Sequence, residues 1–194
     1  MAVVTIDSYS ESNQNSVYGI LYGTGESTRA VGQSFTADSL SLTSCKFYLQ
    51  KVGNPTGNLY ARLYEHTGVF GTSSLPTGSA LAVSDALDAS SLDTSLALEE
   101  LFFTGDNQYS LVGETKYIIT IDARETTSDN NNRISVGIDG SSPTHSGNLC
   151  ALGFDGVTEE WSGWNDYDTI FYVYGEEIFP IVGKKYPLPP FRRS

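Results

Sequence analysis

The sequence predicts an all-β protein: an antiparallel β-sandwich of jelly-roll type with an extended C-terminal arm. Three observations predict it. Apolar residues recur at period two in short runs, clusters of turn-forming residues separate the runs, and no stretch keeps apolar residues 3.6 apart for three or four turns.

The runs can be taken in order. Cys45, Phe47 and Leu49 alternate with Lys46, Tyr48 and Gln50, and Leu59, Ala61 and Leu63 with Tyr60, Arg62 and Tyr64. Tyr117, Ile119 and Ile121 alternate with Ile118, Thr120 and Asp122; Ile134, Val136 and Ile138 with Ser135, Gly137 and Asp139. In the last run Ile170, Tyr172 and Tyr174 alternate with Phe171 and Val173. A strand with one face inward produces this pattern, because successive side chains leave it on opposite sides. Between the runs stand Gly53-Asn54-Pro55-Thr56-Gly57, Leu75-Pro76-Thr77-Gly78, Asp129-Asn130-Asn131-Asn132 and Asp139-Gly140-Ser141-Ser142-Pro143, where left-handed or proline-fixed backbone is easy. The segment 84–98 is rich in Ala, Leu and Asp but has no clean apolar stripe, so it is expected as a loop with one helical turn.

The chain reads as one sandwich domain over 1–179 and a basic, proline-rich arm over 180–194. Net charge is −12, from 11 Lys+Arg and 23 Asp+Glu. Residues 1–182 carry 7 − 23 = −16, and residues 183–194 carry +4. Four of the seven prolines fall in the arm, which favours an extended run. Lys184, Lys185, Arg192 and Arg193 supply its charge, and Tyr186, Leu188 and Phe191 its apolar anchors.

An acidic body repels phosphate, which excludes nucleic-acid binding through it. There is no run of 18 apolar residues to span a membrane and no signal peptide is visible. With 24 Ser, 18 Thr and 19 Gly the chain has the polar, lysine-poor surface of extracellular proteins. An extracellular or particle-surface location, on a virion or cell appendage, is the expectation. Cys45 and Cys150 lack CxxC spacing, so the sequence leaves open a disulfide between strands or two buried thiols.

Four phrases carry a resemblance: Val31-Gly32-Gln33-Ser34-Phe35-Thr36, the segment Leu49 to Leu59, Leu75-Pro76-Thr77-Gly78-Ser79-Ala80-Leu81-Ala82, and Leu111-Val112-Gly113-Glu114-Thr115-Lys116-Tyr117. In this order they resemble the choice-of-anchor R type of β-sandwich domain of bacterial surface and environmental proteins. The resemblance runs from about Val31 to Gly175 and implies a non-catalytic surface module with no agreed catalytic set.

The chemistry is sparse. His66 and His145 are the two histidines, and His145 sits in a polar loop where an exposed imidazole is expected. No nucleophile elbow, HExxH or phosphate-binding loop appears, and abundant serines carry no information about a triad. No catalytic residue is assigned. For glycans the candidates are Trp161, Trp164, Asn165 and Tyr167, since an indole can stack on a pyranose and an amide can bond its hydroxyls. One tryptophan plugging the sandwich end while the other caps a hairpin is the competing expectation. For calcium, a hard oxygen-seeking ion, the candidates are Asp155, Asp166 and Asp168, without an EF-hand pattern and in loops expected to be solvated. Tyr48, Tyr60 and Tyr64 are expected on an outer aromatic face.

The expected function is a non-enzymatic structural or adhesive surface module that assembles with copies of itself or a scaffold through its arm. The alternative is a carbohydrate-binding module using the aromatic loop.

Overall fold

The computed structural model describes residues 2–23 and 25–177 of the 194-residue chain. The expected arm, with Lys184, Lys185, Tyr186, Leu188, Phe191, Arg192 and Arg193, lies outside the described residues.

Fourteen strands are described: β1 Val4–Tyr9, β2 Ser16–Ile20, β3 Ser27–Thr36, β4 Leu40–Val52, β5 Thr56–Thr67, β6 Leu75–Val83 and β7 Leu87–Asp88, then β8 Ala97–Phe102, β9 Lys116–Thr127, β10 Arg133–Asp139, β11 Leu149–Phe154, β12 Glu159–Trp164, β13 Asp168–Thr169 and β14 Phe171–Glu177. They form two antiparallel sheets packed as a sandwich. Sheet A has the order β1-β14-β4-β10-β13, with β2 also on β10 and β8 also on β4. Sheet B has the order β12-β11-β3-β9-β5-β6, with β7 also on β5.

The alternation read from the sequence builds the layer between the sheets. Sheet A contributes Cys45, Phe47, Leu49, Val136, Ile138, Phe171 and Val173; sheet B contributes Val31, Phe35, Leu59, Ala61, Leu63, Ile119, Ile121, Leu149 and Ala151. Full burial of each such side chain is worth about 1.5–3 kcal/mol, which offsets the cost of ordering the strands.

Sheet B is buried on its other face too. Ala30, Tyr64, Ile118, Cys150 and Leu152 are buried yet stand outside the inter-sheet core. Their strand parity turns them away from sheet A. The stretch leading into β6 covers part of this face. Asn148 Oδ1 accepts from the Ser74 amide at 3.0 Å, and Asn148 Nδ2 donates to the Ser74 and Leu149 carbonyls at 3.4 and 2.9 Å. A Cβ on Gly163 of β12 would lie 3.1 Å from that Ser74 carbonyl, so the β6 side of the sheet closes on the β12 edge.

The turns follow their residues. Gly53 has φ 66°, and a Cβ there would fall 2.2 Å from the Asn131 carbonyl. Only glycine lets this turn dock on the 129–132 loop, whose Asn132 carboxamide accepts from the Asn54 amide at 2.8 Å. The segment 84–98 contains β7, one 3-10 turn over Ala89–Ser91 with Asp88 accepting from the Ser90 amide, and the start of β8.

Cys45 lies in sheet A and Cys150 in sheet B; both are buried and free. Burial pushes both thiols far up, out of the thiolate range. Neither should react with an aromatic disulfide reagent in the native protein at pH 8, and both should react in denaturant. Rapid native labelling of either would contradict their burial.

The expected single tyrosine face divides in two. Tyr48 stands on the outer side of sheet A, whereas Tyr60 and Tyr64 belong to the outer side of sheet B, and Tyr64 is buried there. The aromatic pair outside sheet A is Tyr172 and Tyr174, which stack at 6.2 Å beside the Lys46 ammonium.

Candidate functional site

The segment 161–168 does not present one aromatic surface. Trp161 and Trp164 are three residues apart on β12, so their side chains leave opposite faces. Trp164 packs against the inter-sheet core with its ring 6.3 Å from Tyr18, and Tyr167 packs against that core too. Trp161 lies outside sheet B, edge-on to Tyr64 at 6.2 Å. Asn165 and Asp166 are exposed in the turn between β12 and β13.

Around Trp161 the outer side of sheet B carries a chain of ion pairs. Arg62 Nε reaches Asp122 Oδ2 at 2.9 Å, and Arg124 Nη2 reaches the same oxygen at 2.5 Å. Arg124 continues to Glu159 at 3.4 Å, and Glu159 accepts from Arg29 at 2.5 Å. The Arg29 guanidinium lies between Phe154 and Tyr22, 3.5 and 4.5 Å from their ring centroids. Hydrogen bonds from Arg124 to the buried Asp122 push that guanidinium further up, so it stays charged at every accessible pH. Three guanidinium groups face Asp122, Glu125 and Glu159, so this patch is neutral.

The calcium candidates are committed to protein donors or lie apart. Asp168 was expected in a solvated loop, but it is 1% exposed. Its Oδ1 accepts from Gln33 Nε2 at 2.7 Å and its Oδ2 from the His145 amide at 2.9 Å. Burial pushes its carboxyl up, opposed by those donors. Asp155 caps its own turn, accepting from the Val157 and Thr158 amides at 2.8 and 2.7 Å, which holds its carboxyl below the usual range. Among the described residues no group of three or more His, Cys, Asp or Glu is placed to hold a metal ion.

His145 corrects the expectation of an exposed imidazole: its side chain is 7% exposed. The ring stands edge-on to Phe171 at 5.2 Å. Its Nδ1 accepts from the Gly147 amide at 3.0 Å and lies 3.1 Å from Gln33 Nε2. That assigns the ring proton to Nε2, which faces Asp7 Oδ1 at 3.2 Å. Both nitrogens are therefore occupied by the fold and neither is free to act as a base. The loop holding His145 is tied to β1 and β10 through Asp139, whose Oδ2 accepts from Tyr9 Oη at 2.8 Å and whose Oδ1 accepts from Asn15 at 2.5 Å and the Ser141 amide at 3.1 Å. The other histidine, His66, has its Nε2 3.0 Å from Ser74 Oγ; burial, then the Lys116 charge, lower its pKa. Ser74 is fully buried, so this hydroxyl meets no external substrate.

A groove of about 520 Å³ opens where β3 begins and β11 ends. Glu26, Asp155 and Glu160 bring carboxylates to it, Phe154 an aromatic ring, and Ser27, Thr28, Thr158 and Ser162 hydroxyls. The Ser27 Oγ is buried without a hydrogen-bond partner. Among the described residues Glu100, Asp122, Glu125 and Glu159 are the carboxylates paired with Lys or Arg, so none of the groove acids is neutralised. Sequence reasoning missed the groove because its acids come from two distant segments, Glu26 before β3 and Asp155 with Glu160 in the β11–β12 hairpin. The one available signal was Glu159-Glu160 beside Asp155.

The described residues thus define a class, a two-sheet antiparallel β-sandwich with an acidic groove at its end. No family model, no curated protein and no solved structure matches the chain.

Proposed function

We propose that the chain is a non-catalytic structural module of a particle or cell surface, assembled with copies of itself through its basic segment 183–194. The observation that carries the reading is charge polarity. All 23 acids and seven of the 11 basic residues lie in the described body, giving −16, and the remaining four basic residues lie in 183–194. Opposite patches of this kind steer association and fix its orientation.

The strand pairing supports a jelly-roll wrap, an architecture frequent in capsid and lectin domains. β1 pairs with β14, β3 with β11, β4 with β10 and β5 with β9, so each pair encloses the next in sequence. The likeness to choice-of-anchor R domains points the same way.

Deleting 183–194 is expected to leave the far-UV spectrum unchanged and to reduce the native assembly to a monomer lighter than the 21.0 kDa full chain. Light scattering after size exclusion reads both. A truncated chain that assembles like the full one overturns the reading.

A further inference from the structure

We propose that the groove at Glu26, Asp155 and Glu160 receives the segment 183–194 of a second copy, so that the copies join head to tail. The inference rests on the reading above and names the receiving surface and the direction of assembly.

Charge complementarity selects the occupant. The groove carries the carboxylates of Glu26, Asp155 and Glu160, none of them in an ion pair, with the unpartnered Ser27 Oγ buried in its wall and the Phe154 ring covered by Arg29 on one face. Segment 183–194 offers four cations with Tyr186 and Phe191 between them and no acid. Glu159, adjacent in sequence to Glu160, already holds Arg29 and Arg124, so of this pair Glu160 is the one left without a cation.

Topology selects a second copy over the chain's own arm. β3 starts at the groove with Ser27 and ends at Thr36, and three residues later β4 begins at Leu40, which pairs with Glu177. Glu177, the last described residue, therefore stands at the end opposite the groove, about 30 Å away along the ten residues of β3. Lys184 and Lys185, seven and eight residues past Glu177, reach about 25–29 Å at full extension, short of their own groove, so only a second copy's groove can receive all four cations together. Stacked end to end, the next copy presents its groove where the arm emerges. The contact uses different surfaces on the two copies, so it generates a ring if the rotation closes and a filament if it does not.

The test uses three full-length chains: the native one, E26K/E160K, and K184S/K185S/R192S/R193S. Glu26 and Glu160 are exposed, so the groove variant should keep the native melting temperature. Each variant alone should run as a monomer, its dissociation constant raised about tenfold or more. An equimolar mixture should stop at a one-to-one dimer of twice the chain mass, because one intact arm meets one intact groove. Association of the native chain should weaken with salt.

If the arm variant dissociates while E26K/E160K assembles like the native chain, the assembly reading stands and the groove assignment falls. If all three chains are monomeric or all three assemble alike, both fall. If the groove variant keeps assembly and loses binding on a glycan array, the occupant is a sugar and the proposal is overturned.

Discussion

Asp139→Ala is expected to lower the unfolding free energy by about 3 kcal/mol. Asp139 is 4% exposed and accepts from Tyr9 Oη, Asn15 Nδ2 and the Ser141 and Ser142 amides. Truncation strands the hydroxyl of buried Tyr9, at about 1–3 kcal/mol, and releases the turn donors at the exposed Asn15, Ser141 and Ser142, which water can reach. For a chain of this length that is a fall of roughly 6–12 °C in melting temperature, read by calorimetry. A fall under 2 °C would mean that water replaces the carboxylate fully.

The same residue gives the molecule an acid limb. Burial pushes the Asp139 carboxyl up, but donors led by Tyr9 and the Ser141 amide outweigh it and hold the group below its ordinary value. The unfolded chain therefore takes up the proton first as pH falls. The contribution is complete above the ordinary carboxylate value of about 3.9, and it is lost as pH falls through the depressed native one. Urea midpoints between pH 6 and 2 should drop less steeply for Asp139→Asn than for the native chain.

Gly147→Ala is the second large effect, at about 3 kcal/mol or more. A Cβ there would lie 1.9 Å from the Ser34 carbonyl and 2.8 Å from Ser34 Oγ, so the interior strand β3 would have to move. The Gly147 amide also holds His145 Nδ1, and its neighbour Asn148 bonds Ser34 and Ser74. The variant should expose His145, visible as displaced imidazole ring resonances. Near-native stability with an unchanged spectrum would show that β3 gives way easily.

These two residues show where the sequence was legible. Period two located Phe47, Leu63, Ile121 and Val136 correctly, because alternation records which side of a strand meets the core. Asp139 and Gly147 sat in what read as an ordinary polar loop. Nothing local distinguishes a solvated Asp-Gly-Ser-Ser turn from one folded between β1 and β10, since the difference lies in partners more than a hundred residues away. The same holds for the candidate loop at 161–168. Its composition suggested a sugar platform, but three-residue spacing on a strand sends Trp161 and Trp164 to opposite sides. The groove acids were invisible because a bend at 25–26 and a turn at 155–158 bring them together.

The two-sided burial of sheet B makes the protein unequal in how much change it tolerates. Sheet A is open on its outer side along β8 and β14, where Phe102 is 50% exposed and Tyr172 and Tyr174 are half-buried, although β10 at its middle is enclosed from Ile134 to Asp139. In β3 every position from Arg29 to Phe35 is enclosed, so neither parity is free to drift. Amide hydrogens of β3 and β9 should be the last to exchange with deuterium, and related sequences should diverge first along β1, β8 and β14.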